Sequence, residues 1–470
     1  MILSDTALHN FKINPKKIYF YNLEDSYSGE KCLEIIEELR NKLLGFGTNK
    51  VAICAPNSVE WALWYILLDS LAENIFLISS DFDENLVKEI CKKYQISTLI
   101  LQKEENEKFE IFEMFKGFNE LNELEEHNRK DVIFTSGTTG IPKAAIISQN
   151  SYIHVARELI KITSQNDADL ELLSMPLDRS FGLVRLRTCI LSDARALIVN
   201  GLRKFPSVYK FSQTNSITGL SLVPAALQVI AVQLRNKAKD FTKNLKYIEL
   251  GSSSLLENQL DWIKENCENS TVIHHYGMTE CSRAFIRSLH MVTNENYNWI
   301  GKPLAGVTYK VQSSNDNTEI GELLLKGSNL FYGYLEEEDN RARIKDSWFL
   351  TGDICEKKNG ELFLIGRKDN QLNIAGAKVQ AERIEAIIEN HPFVNECLCF
   401  EYPDKILGNM IAALIVLKED AEDDLKELID DVFENQPSYY KPQKLKNVSA
   451  LPKTFNGKKE RDKYKLTEKI

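Results

Sequence analysis

The chain has no apolar run long enough to cross a bilayer. Its best candidate, Trp61 to Ile78, is interrupted by Asp69, Glu73 and Asn74, and about 20 uninterrupted apolar residues are needed. The opening residues MILSDTALHNFKINPKK lack the apolar core of a secretory signal, so no export is expected. Paired cysteines are missing too. Nine are scattered, an odd number with no C-x-x-C, which excludes a disulfide framework or zinc site of recognisable spacing and suits a reducing cytoplasm. Cys397 and Cys399 alternate in a strand-like run and are expected to pack as small apolar side chains. Nor is there an excess of positive charge. A net charge of −10 argues against a free-standing basic face for nucleic acid. Repeats and low-complexity tracts are absent, apart from acidic stretches such as Glu336 to Asp339, which read as solvated.

What is present is an ordinary globular composition, 43% apolar and 27% charged, over 470 residues, enough for two or more domains. Strand and helix signals alternate. Leu33, Ile36, Leu39 and Leu43 recur at helical spacing, and Gly45 and Gly47 close that helix. Lys50 to Cys54 reads as a strand, and Ser58 caps a helix through Leu71. Ile75 to Ser79 is a strand, Asn85 to Tyr94 a helix, and Ser97 to Leu101 a strand. Further along come a helix from Tyr152 to Ile162, a strand from Ser216 to Leu222, a helix from Pro224 to Leu234 and a strand from Tyr247 to Leu250. Such alternation predicts a largely parallel sheet with helices on its faces.

Residues 103 to 131 form a charged connector into TSGTTGIPK, Thr135 to Lys143. A small-residue stretch of this kind is ordinarily a surface turn. Its glycines can also aim backbone N–H groups at an anion, its hydroxyls can donate to phosphate oxygens, and Lys143 adds a point charge. It is neither a Walker loop, since Ile141-Pro142 separates Gly140 from Lys143, nor a dinucleotide fingerprint. Gly251-Ser252-Ser253-Ser254 follows a strand and reads by itself as a helix N-cap. In Ile273 to Glu280, Tyr276 offers a stacking face for a purine. Gly277 permits close backbone approach, Thr279 can bond a phosphate oxygen, and Glu280 is a hard oxygen ligand. His274 and His275 are neighbours on a strand and face opposite ways, which argues for packing or pocket lining over metal. One carboxylate, Asp353, can accept from both hydroxyls of a ribose, and Arg367 can reach ribose or phosphate oxygens. Both flank a hairpin signal, Asn359-Gly360. The tail LPKTFNGKKERDK reads by itself as basic and solvated.

Taken in order, these segments resemble the adenylate-forming superfamily: acyl-CoA synthetases, peptide-synthetase adenylation domains and luciferases. TSGTTGIPK is similar to its signature loop, Tyr276 to Glu280 and Phe349 to Ile354 to its nucleotide motifs, and Pro452 to Arg461 to its C-terminal lysine motif. The resemblance covers essentially the whole chain. It implies an α/β fold: a large N-terminal AMP-binding domain, residues 1–368, of layered α/β subdomains with mixed, largely parallel sheets, and a small α+β lid, residues 369–470, moving about a hinge at Asp369.

It further implies Mg²⁺·ATP as cosubstrate. Thr135, Ser136, Gly137, Thr138, Thr139, Gly140 and Lys143 would hold phosphates, and Glu280 the metal. Ser252, Ser253, Tyr276 and Gly277 would line the adenine, and Asp353 and Arg367 the ribose. Lys458 would be the catalytic lysine, acting with Thr279 and Glu280; Arg461 matches the arginine that follows it, and Lys453 and Lys459 read as solvated tail. Asp178 and His275 would face the acid. Leu177-Asp178-Arg179-Ser180 resembles the Phe-Asp-x-Ser of amino-acid-activating members, whereas many acyl-CoA synthetases carry Pro-Leu-Phe-His there. The alternative is that Asp178 simply pairs with Arg179 or Arg185. The implied reaction makes acyl-AMP and pyrophosphate, then passes the acyl group to a phosphopantetheine thiol, that of coenzyme A or of a separate carrier protein brought to the site by residues 374–379 beside Gly376. A fatty acyl or aryl-CoA ligase, a non-catalytic nucleotide-binding homologue, and an ADP-forming kinase or ATPase are the competing readings.

Overall fold

A computed structural model describes residues 3–105, 107–115, 130–135, 142–252, 255, 257–293, 296–313, 319–374, 377–404, 408–418, 424–434, 441–453 and 459–461. The chain divides into two compact units, Met1–Thr308 with Leu325–Phe349, and Tyr309–Leu324 with Leu350–Ile470.

Two sheets build the first unit. One has seven strands in the order Gly333–Tyr334, Lys143–Ser148, Lys130–Thr135, Asn74–Ile78, Lys50–Cys54, Thr98–Leu101, Glu110–Glu113. Its four strands from Lys130–Thr135 to Thr98–Leu101 are parallel and its outer strands antiparallel. The other has nine strands, with a parallel centre of Thr271–Met278, Tyr247–Gly251, Gly219–Leu222, Leu170–Leu173, Arg195–Ile198 and Ile18–Tyr21. The helix–strand alternation anticipated this arrangement. Elements not anticipated include the helix Leu3–Ile13, the strand Ile18–Tyr21 and the strand Glu110–Glu113, which lies within the stretch read as a charged connector and pairs with Thr98–Leu101. Leu3, Ala7 and Phe11 are buried at helical spacing, and the Ser4 amide donates to buried Asp69 at 2.8 Å. That spacing was the readable signal.

The helix Val59–Leu71 buries nearly all its side chains, which explains why its sequence is apolar all round. Ser58 caps it, accepting from the Trp61 amide. The helix Ser180–Leu191 is also buried along nearly its whole length, yet it carries Arg185 and Arg187, both fully buried. Residues two apart on a helix point to opposite sides. Arg185 binds Glu171 of the nine-stranded sheet at 2.7 and 2.5 Å, and its Nη1 lies 3.4 Å from Glu249. Arg187 binds Asp131 of the seven-stranded sheet at 2.6 Å and also meets Tyr65, whose hydroxyl donates to Asp131 at 2.9 Å. A single apolar cluster contains side chains of both sheets and of this helix, among them Ile53, Leu77, Ile133, Leu183, Leu186 and Ile198.

The strand Trp348–Lys358, which enters the second unit at Leu350, forms an antiparallel hairpin there with Glu361–Arg367. Asn359 and Gly360 turn it with φ of 53° and 82°, the left-handed pair that the Asn-Gly signal anticipates. The helix Ala381–Glu389 packs with the strands Val394–Asp404 and Gly408–Leu417 around Ile384, Ile388, Cys397, Cys399 and Ile415. Cys397 and Cys399 are buried as expected, their sulfurs 3.8 Å apart.

Removing one partner of a buried ion pair strands the other charge without solvent. Arg187→Met alone is therefore expected to cost about 3–5 kcal/mol in urea unfolding, and the double variant Arg187→Met/Asp131→Asn to recover a large part of it.

Candidate active site

Thr135 and Lys143 face each other across two antiparallel strands and so close the base of the small-residue loop. Ser136, Gly137, Thr138, Thr139 and Gly140 lie outside the described residues. Lys143 does not stand free. Its Nζ is 2.5 Å from Asp339 Oδ1 and 5.6 Å from the Tyr334 ring centre. The acidic stretch that read as solvated is thus in part a set of partners. Glu336 accepts from the Tyr94 hydroxyl at 2.5 Å and pairs with Lys93, and Asp339 neutralises Lys143.

Thr279 and Glu280 form the two-residue connection between Thr271–Met278 and Cys281–Ser288, where Met278 pairs with Cys281. A turn at the end of a buried strand presents its side chains outward, and Glu280 is only partly buried. Its Oε1 accepts from the Tyr334 hydroxyl at 2.6 Å. Among the described residues no group of three or more His, Cys, Asp or Glu could cage a metal. A lone carboxylate nevertheless suits Mg²⁺, which keeps waters and is usually shared with substrate phosphates. Glu280 is therefore the group that would hold it.

Tyr276 packs edge-on against Phe285 at 6.0 Å. At Gly277 a Cβ would lie 2.6 Å from the Arg283 amide, so glycine is required for that strand approach. Ser252, at φ 76°, follows the strand Tyr247–Gly251. The next described helix begins at Glu257, so Ser252 is not its N-cap, and Ser253 lies outside the described residues.

Asp178 is 6% exposed just before the buried helix, and Arg179 Nε is 3.9 Å from its Oδ1. Arg185 is committed to Glu171 and Glu249 instead. Burial pushes the Asp178 carboxyl up to about 6; Arg179 and Ser79 oppose the shift and Asp81 adds to it. His274 and His275 do face apart: His274 accepts from Arg287, whereas His275 Nδ1 lies 2.7 Å from buried Glu249. Burial lowers the His275 pKa despite that carboxylate. Burial alone would raise Glu249, but Arg283 and His275 hold it well below the usual carboxylate range. The His275 ring fills the space a Cβ on Gly251 would need and meets Phe181, at the start of the buried helix, edge-on at 4.8 Å. Asp178 and His275 are thus tied to the same helix start.

In the second unit Asp353 and Arg367 are directly opposed across the hairpin, Nη1 to Oδ1 at 3.0 Å, and Arg367 also donates to the Thr351 carbonyl. Asp369 belongs to the short turn Lys368–Asn370 that follows. Gln371–Ile374 pairs antiparallel with Ala377–Gln380, and Gly376 between them lies outside the described residues. Lys458 also lies outside them. Lys459, read from sequence as solvated tail, proves to be anchored. Its Nζ is 2.6 Å from Glu389 and donates to the Cys397 carbonyl at 2.6 Å. Arg461 binds Glu385 at 2.6 Å and the Cys399 carbonyl at 3.2 Å. Local charge content gives no hint of this, because the partners lie some 70 residues earlier.

A family model described as AMP-binding enzyme matches residues 11–335, and one described as AMP-binding enzyme C-terminal domain matches residues 383–458. The chain belongs to the AMP-binding, adenylate-forming enzymes. Among relatives of this AMP-binding protein, a 2-succinylbenzoate–CoA ligase of Staphylococcus aureus is 27% identical over 335 residues, 71% of this chain and 66% of its own length. The peroxisomal OPC-8:0-CoA ligase 1 of Arabidopsis thaliana is 25% identical over 341 residues, 70% of this chain and 62% of its own. The chain thus spans just under two thirds of the curated relatives it matches. Its fold agrees with the o-succinylbenzoate CoA synthetase of Bacillus subtilis in complex with an acyl-adenylate, at TM-score 0.82 and 21% identity over 99% of this chain and 98% of that one. ATP-bound MatB of Rhodopseudomonas palustris agrees at TM-score 0.83 and 18% identity, over 99% of each chain.

The anchoring of the C-terminal motif is directly testable. Lys459→Met is expected to destabilise the AMP-binding protein by about 2 kcal/mol in urea unfolding, because it leaves Glu389 without its cation. Lys453→Met, whose partner Glu396 is at the surface, is expected to change stability by less than about 0.5 kcal/mol.

Proposed function

We propose that the protein activates a carboxylic acid with Mg²⁺·ATP and transfers it to a phosphopantetheine thiol. The observation that carries this reading is the meeting of Lys143, at the base of the phosphate loop, with Glu280, at the strand turn, around one tyrosine. A cation for phosphate oxygens, here Lys143, which would exchange Asp339 for phosphate, and a carboxylate for Mg²⁺ are the two charges such a site requires.

In the first step a carboxylate oxygen of the acid bonds to the α-phosphorus of ATP, the bond to pyrophosphate breaks, and acyl-AMP forms. Thr135 to Gly140 and Lys143 hold the phosphates, Thr279 bonds a phosphate oxygen, and Ser252, Ser253, Tyr276 and Gly277 line the adenine. Asp353 and Arg367 take the ribose. Lys458 neutralises charge building between acid and α-phosphate, which is positioning and electrostatics rather than covalent catalysis. Bound Mg²⁺ would stabilise negative charge on the phosphates. In the second step the thiol sulfur bonds to the acyl carbon, AMP leaves with the electron pair, and the thiol proton goes to solvent. Asp369 is assigned the hinge between the steps. Cytoplasmic residence accords with nine free, buried cysteines; among the described residues no helix is long and apolar enough to cross a membrane.

Asp178 favours an amino acid, whose ammonium would supply the close cation that a buried carboxylate needs. The relatives' names favour an aryl or fatty acid with coenzyme A as acceptor, and Arg179 beside Asp178 fits that second reading. A separate carrier protein is the remaining acceptor.

ATP–pyrophosphate exchange across amino, hydroxy, aryl and fatty acids decides between them. On the amino-acid reading Asp178→Ala loses amino acids selectively, by about 100-fold or more in kcat/KM. Lys458→Ala should abolish exchange yet leave thioester formation from supplied acyl-AMP; equal loss of both half-reactions would contradict its role. The Asp178 carboxyl also predicts a pH effect. Its folded pKa, about 6, lies above the ordinary 3.8. The folded state therefore binds the extra proton between roughly pH 4 and 6, and stability falls as pH rises through that window. Asp178→Asn should raise the Tm at pH 8 and leave it unchanged near pH 4.

A further inference from the structure

We infer that Tyr334 is a positioning residue that sets the metal-binding carboxylate and the phosphate-binding ammonium relative to each other. The inference rests on the function proposed above. Glu280 sits on a two-residue turn, is only partly buried and has three rotatable bonds, so a fixed hydrogen-bond partner can decide among its rotamers. The Tyr334 hydroxyl donates to Oε1 at 2.6 Å, which occupies one carboxylate oxygen and leaves Oε2 for a cation. The same ring presents its face to Lys143, whose Nζ is 5.6 Å from the centroid. One side chain therefore touches both charged groups through chemically distinct parts.

Tyr334 is itself immobilised. It is 4% exposed and packs edge-on against Phe331 at 4.8 Å. Its backbone pairs with Ala145, two residues beyond Lys143. Asn340 clasps it from the other side, accepting from the Tyr334 amide at 2.7 Å and donating to its carbonyl at 2.8 Å. Because Lys143 and Tyr334 lie on adjacent strands of one sheet, a shift of either strand would move the carboxylate with it. Groups that orient a metal-binding side chain in this way are commonly worth tenfold or more in metal affinity.

Tyr334→Phe keeps the ring and removes the hydroxyl. Mn²⁺ titrated into the full-length protein with a non-hydrolysable ATP analogue, followed by electron paramagnetic resonance, should bind about tenfold more weakly to this variant, and the Mg²⁺ half-saturation of pyrophosphate exchange should rise by a similar factor. Glu280→Gln should lose the Mn²⁺ signal outright. If Glu280→Gln loses Mn²⁺ while Tyr334→Phe binds it like the wild type, the positioning role is wrong and the metal assignment stands. If Glu280→Gln binds Mn²⁺ normally, the metal assignment itself fails and takes this inference with it. Should Tyr334→Phe not fold, Asn340→Ala, which keeps the hydroxyl but loosens its seat, is expected to weaken Mn²⁺ in the same direction, and unchanged binding there would overturn the proposal.

Discussion

Two arginines buried on one helix set the geometry of the large unit. Arg185 reaches into the nine-stranded sheet and Arg187 into the seven-stranded one, and neither has water to fall back on. A charge in that position is tolerated only with its carboxylate in place, so Glu171, Glu249 and Asp131 must sit where the helix finds them. Apolar contacts alone would hold the sheets together but would let them slide. Directional ion pairs resist sliding, which places the helix and both sheets in one register.

That register matters because the candidate site is made of strand ends. Asp131 lies on the strand that runs out at Thr135 into the loop proposed to hold phosphate, and Glu249 on the strand that ends at Gly251, just before Ser252. The helix that carries the arginines begins immediately after Asp178. Its Phe181 meets His275, which in turn lies beside Glu249. The groups proposed to contact loop, adenine and acid are thus braced from behind by two buried polar clusters, one on each side of the same helix. Electrostatic catalysis depends on dipoles and charges that are already aimed, and a rigid second layer supplies this.

In the small unit the same logic appears at the C-terminal motif. Lys459 and Arg461 are turned inward onto Glu385, Glu389 and two strand carbonyls. A motif that looks like a run of solvated cations is seated by alternate residues.

Local chemistry was legible in the chain. The Asn359-Gly360 turn and the Ser58 cap each express themselves within a few residues, because backbone conformation and turn preference are short-range properties. Parallel-sheet architecture followed from strand–helix alternation for the same reason. The partners were not legible. Lys143 with Asp339, Arg187 with Asp131, Glu280 with Tyr334 and Lys459 with Glu389 are separated by 196, 56, 54 and 70 residues. Nothing in the local pattern says which acid will meet which base. The acidic stretch at Glu336 to Asp339 read as solvent-facing and in part is not. Composition and periodicity determine which residues are capable of chemistry and which elements carry them. Only the folded packing decides which charges are buried together, because desolvation and ion pairing act through space and are indifferent to distance along the chain.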